Sequence, residues 1–123
     1  MSILNFPGAC TTTTLLVAAS AASTAAATSA AGVDLLAYDG PVIVVQNHGV
    51  STGTLDGKIQ DSADNAAFAD VAGLTFTQST ATADTKTLVF GSKSVRRYVR
   101  YVGTVVTGPQ VVGVTMAGLL KII

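Results

Sequence analysis

From Val33 onward no stretch of this chain carries a stripe of large apolar side chains, spaced at 3.6 residues, long enough for a helix. Short β-type runs cut by turn residues take its place, and that pattern confines the fold to all-β architectures. Leu55, Gly57 and Ile59 alternate with Asp56, Lys58 and Gln60, which predicts a half-buried strand with one wet face. Val42 to Gln46 is a continuous apolar run, expected of a strand covered on both faces. Leu35 to Tyr38 precede a turn at Asp39-Gly40-Pro41, and the Asp61-Ser62-Ala63-Asp64-Asn65 cluster forms another. Phe68 and Val71 bracket a short strand, Leu74 and Phe76 alternate with Thr75 and Thr77, and Thr87 to Phe90 is a further strand. The longest run is Val95 to Val106, with Val95, Arg97, Val99, Tyr101 and Val105 on one side and Arg96, Tyr98, Arg100, Val102 and Thr104 on the other. Beyond Thr107-Gly108-Pro109 comes a last strand in which Val112, Val114 and Met116 point together. About seven or eight strands at this turn spacing predict an antiparallel β-sandwich, and that number closes two sheets as a jelly roll.

Residues 1–32 read differently from residues 33–123. Met1 to Cys10 hold a small apolar tip of Ile3, Leu4, Phe6 and Pro7, and a low-complexity Thr/Ala/Ser stretch with Leu15, Leu16 and Val17 follows. Such a segment buries too little apolar surface to offset roughly 1 to 2 kcal/mol of backbone entropy per residue, so it is expected to be an extended N-terminal arm ordered by neighbouring molecules. The sandwich domain then begins at Val33. The arm lacks the basic start of a signal peptide, and its apolar run is too short to cross a bilayer, so no membrane association is expected.

Hydrophobic residues make up 49% of the chain and charged residues only 11%, against roughly a quarter in ordinary globular proteins. Apolar surface in that excess asks for burial against another subunit, which predicts a homo-oligomer, dimer or trimer. The formal net charge of zero excludes a general phosphate-backbone binder, so no nucleic acid is expected. Every acid is an Asp between Asp34 and Asp84, whereas Lys86, Lys93, Arg96, Arg97, Arg100 and Lys121 follow with no acid among them. That polarity predicts complementary patches, with Arg96, Arg97 and Arg100 meeting Asp on a neighbour. The apolar C-terminus, Ile122 and Ile123 included, is a further candidate contact.

Catalytic chemistry finds little footing. The chain has no Glu, one His and one Cys, so the residues most often used for acid–base work are scarce and no intrachain disulfide can form. His48 sits in a Gly-flanked loop without a partner motif. Asp56, Asp61, Asp64, Asn65 and Asp70 have oxygen ligands of the kind calcium takes, but their spacing fits no calcium loop, and hairpin turns use the same residues. No catalytic residue, metal or cofactor is assigned.

Three segments carry a resemblance: Leu55-Asp56-Gly57-Lys58-Ile59-Gln60-Asp61-Ser62, Phe68-Ala69-Asp70-Val71-Ala72-Gly73, and Arg96-Arg97-Tyr98-Val99-Arg100-Tyr101-Val102-Gly103. In this order, within Gln46 to Ile123, they resemble the jelly-roll decoration or cement proteins of bacteriophage capsids. The resemblance implies a place on the outer surface of a virion, the major capsid protein as partner, and no catalytic residues. Galactose-binding-like sandwiches share part of the pattern, which leaves a carbohydrate-binding module or a tail or connector component as alternatives.

Overall fold

A computed structural model describes residues 10–21, 27–28, 32–50, 52–107 and 110–120. Among them are nine strands and no helix: β1 (Cys10–Ala21), β2 (Ala27–Thr28), β3 (Val33–Asp34), β4 (Tyr38–His48), β5 (Thr54–Ser62), β6 (Ala69–Thr75), β7 (Asp84–Gly91), β8 (Tyr98–Val106) and β9 (Gln110–Leu120). Sheet A runs β1-β9-β4-β7, and sheet B runs β2-β8-β5-β6 with β3 also paired to β8. All pairings are antiparallel. The hairpin β5–β6 is enclosed by β4–β7, then by β2 and β3 with β8, and finally by β1–β9. One long nested hairpin wrapped into two sheets is a jelly roll, so the expected β-sandwich is the observed architecture.

The alternations read from sequence set the core. Leu55, Gly57 and Ile59 of β5 face Val105, Gly103 and Tyr101 of β8, while Val112, Val114 and Met116 of β9 stand beside His48, Gln46 and Val44 of β4. Leu55, Ile59, Val42, Val44, Val99, Tyr101 and Met116 are wholly buried. The five Val, Leu and Ile side chains among these together with Met116, at roughly 1.5 to 3 kcal/mol each, already supply a driving force on the scale of a whole domain's stability before entropy is subtracted.

His48, expected in a loop, is the last residue of β4 and is buried, and three further expectations about the strands change. Asp39-Gly40-Pro41 is no chain reversal but a bulge inside β4, where the register shifts between Tyr38 and Val42 and Gly40 adopts a φ of 80°. The run expected over Val95 to Val106 enters the sheet only at Tyr98, so Arg96 and Arg97 precede the strand and Arg97 does not share the inner face. The third change concerns the arm. Cys10–Ala21 pairs along β9 and Ala27–Thr28 pairs with β8, so these backbones belong to the chain's own sheets. Composition shows only that the stretch cannot form a core alone. An edge strand needs just a partner backbone, which β9 provides from the far end of the chain, and four consecutive Thr favour the extended conformation through their branched Cβ.

Candidate functional site

The basic residues expected to meet a neighbour are engaged within the chain. Arg97 grips Asp34 bidentately, with Nε donating to Oδ1 at 3.0 Å and Nη2 to Oδ2 at 2.8 Å. That pairing, helped by the Leu36 amide, holds the Asp34 carboxyl down at about 2. Asp61 accepts from the Arg96 backbone amide at 3.0 Å and from its Nε at 2.9 Å. Arg100 donates to Gln60 Oε1 at 2.9 Å and lies 4.2 Å above the Phe68 ring. The acidic and basic halves of the sequence thus meet inside one molecule, because β8 lies between β3 and β5 and brings residues 96–100 beside Asp34 and Asp61. Lys58 and Gln60 likewise share Asp70, which lowers the pKa of its carboxyl, chiefly through the Gln60 hydrogen bond.

The Asp residues considered for calcium are dispersed. Asp56 takes Gln78, Asp61 takes Arg96, Asp70 takes Lys58, and Asp64 accepts from the amides of Ala66 and Ala67, which lower its pKa. Of the aromatic rings on the sheet B side, Phe68 carries Arg100 and Tyr98 carries Arg97 at 5.0 Å, so neither is a bare platform for a sugar. Leu15, Leu16 and Val17 lie in β1, of which only the backbone pairing is described. Ile3, Leu4, Phe6, Ile122 and Ile123 lie outside the described residues.

Between the sheets runs a polar chain that the sequence did not announce. Tyr101 of β8 donates to Gln46 Oε1 of β4 at 2.6 Å, and Gln46 Nε2 donates to Ser79 Oγ at 3.3 Å. Ser79 Oγ donates to Asp84 Oδ1 at 3.1 Å, and Lys86 Nζ reaches Ser79 Oγ, Asp84 Oδ2 and the Gln78 carbonyl. Burial pushes the Tyr101 phenol well above its usual pKa, so it remains a neutral donor. Gln46 and Ser79 are wholly buried, and the chain ties the two sheets in one alignment. An open cleft lined by Asn47, His48, Asp84, Thr85 and Val111 lies at its end.

The surface with the clearest functional content is the outward side of sheet A. Alternation with the buried Val42, Val44 and Gln46 turns Pro41, Ile43, Val45 and Asn47 outward. Their β7 partners are Gly91, Val89, Thr87 and Thr85, and Ile43, Val45 and Asn47 also face Ala117, Thr115 and Gly113 of β9. Val89-Ile43-Ala117, Thr87-Val45-Thr115 and Thr85-Asn47-Gly113 therefore form three cross-strand rows without a charge. Ile43 is 41% exposed and Val89 60%. The run Val42 to Gln46, expected to be covered on both faces, is covered on one among the described residues. Sheet B differs, since its outward side bears Asp56, Lys58 and Arg100. The alternation of Thr85, Thr87 and Val89 with Lys86, Leu88 and Phe90 carried this signal in the sequence, but only strand pairing joins it to Ile43 and Val45.

No protein-family model matches the chain, and no curated protein matches it. Solved structures do. Over 100% of this chain the fold matches the PBSX exported protein XepA, with 18% identity and a TM-score of 0.66. This chain spans 41% of that protein's length. The SPBc2 prophage-derived protein YomS matches over 89% of this chain and 92% of its own, with 14% identity and a TM-score of 0.52. At these identities the likeness establishes a shared fold. The second of these neighbours is prophage-derived by name.

Proposed function

We propose that this protein is a structural component of a bacteriophage particle, a jelly-roll decoration protein that binds the major capsid protein on the outer shell as a homo-oligomer. The observation that carries the proposal is the uncharged outer side of sheet A. A wet antiparallel sheet normally turns charged side chains to solvent, and contiguous apolar patches beyond a few hundred Å² mark interaction surfaces. An assembled particle supplies the cover. The fold shared with a prophage-derived protein supports the same setting. Catalysis is not part of the proposal: Asp34, Asp61, Asp70, Asp84, Lys58, Lys86, Arg96 and Arg97 are committed to structural pairs.

Purified protein added to capsid shells that lack it is expected to bind saturably at micromolar concentration and to raise the melting temperature of the shells. Absence of binding at that concentration overturns the shell assignment. Density for the protein at the tail or connector of an intact particle would keep it in the virion and replace its location.

A further inference from the structure

The outward positions of β4, β7 and β9 in sheet A hold Thr, Val, Ile, Ala, Gly, Pro, Asn and Leu, and the occupant of that side follows from its chemistry. We propose that it is a second copy of this chain, packed sheet against sheet about a two-fold axis with Ile43 and Val89 at the centre. The proposal rests on the assembly role above and names the partner on this surface.

Charge is the first argument. Across β4 from Pro41 to Asn47, across β7 from Thr85 to Gly91 and across β9 from Val111 to Leu119, the outward positions contain no Asp, Lys or Arg. Asp84 and Lys86 of β7 stand opposite His48 and Gln46, on the inward side. A two-fold contact sets a patch against itself, so any charge near the axis meets its own copy. This face has none to repel, and it offers no fixed charge by which a strongly acidic or basic partner would be selected.

Shape is the second. Outward β-branched side chains in cross-strand rows are what two sheets need to pack about 10 Å apart, the arrangement already used between sheets A and B inside the molecule. Area is the third. Three strands about 4.8 Å apart and about eight residues long at 3.3 Å each present roughly 380 Å² per copy, or roughly 760 Å² in total. That is below the roughly 1,000 Å² of a stable specific interface, so the contact is a weak one: the isolated dimer should dissociate in the upper micromolar range and gain strength where other contacts hold the copies together.

Sedimentation equilibrium of the full chain, from about 1 to about 500 μM, spans that affinity range. The native protein is expected to pass from monomer to dimer. Ile43→Lys and Val89→Lys, each at an exposed position, should keep the native circular dichroism spectrum and weaken dimerisation at least tenfold. Val106→Lys, at a site 56% exposed at the end of β8 in sheet B, should dimerise like the native chain. A native chain that stays monomeric throughout overturns the proposal, as does dimerisation untouched by both folded sheet A variants. The failures are separable. A monomer whose binding to shells is abolished by Ile43→Lys assigns the face to the shell and leaves the virion role intact. A dimer made through this face that binds no shell does the reverse.

Discussion

Replacing Tyr101 with Phe removes one hydroxyl from the centre of the sandwich and nothing from its packing volume. Gln46 Oε1, which accepts that hydroxyl at 2.6 Å, stays wholly buried without this donor. An orphaned buried acceptor costs about 1 to 3 kcal/mol, so a loss of about 2 kcal/mol is expected. An unfolding entropy of about 2.1 cal/mol/K per residue gives about 0.26 kcal/mol/K for 123 residues, and the loss becomes a fall in Tm of about 8 °C. Calorimetry measures it directly, with urea unfolding as a second probe. Adding Gln46→Leu to Tyr101→Phe removes the stranded acceptor, while Ser79 keeps Asp84 and Lys86. The double variant should therefore be more stable than additivity of the two single changes allows, by about 1 kcal/mol. A Tyr101→Phe protein within about 0.5 kcal/mol of the native one would refute the reasoning, since the hydrogen bond could not then be fixing the alignment of the sheets.

Two further outcomes are expected. Gly57→Ala should cost at least about 2 kcal/mol in a urea titration, because a Cβ there would run into Gln46 Oε1 and the Tyr101 ring, and both ends of that contact are buried. Asp34, whose pKa is depressed to about 2, should stabilise the fold above its ordinary pKa of 3.8 and lose that contribution as the pH falls through about 2. Because the pair with Arg97 is exposed, the native protein should exceed Asp34→Asn by less than about 1 kcal/mol near neutral pH, and a difference that grows toward pH 2 would contradict the assignment.

Local pattern determined a good deal of this protein. The alternation of Leu55, Gly57 and Ile59, and of Val112, Val114 and Met116, specified which side of β5 and of β9 is buried, because side chains in a strand alternate whatever the strand pairs with. The scarcity of charge, too, was plain in the composition, and it pointed to surface needing cover. Tertiary structure decided everything that depends on register between distant segments. It placed Cys10–Ala21 along β9, and it set Asp34 beside Arg97 and Asp61 beside Arg96 within one molecule. It also aligned Ile43 with Val89 and Ala117 into one outward row. Each of these pairings joins residues more than thirty positions apart. A strand's own residues say how it alternates, but its neighbours are chosen by the closure of the whole sandwich, and those neighbours decide whether a charge is spent inside the molecule and whether an apolar row is left facing out.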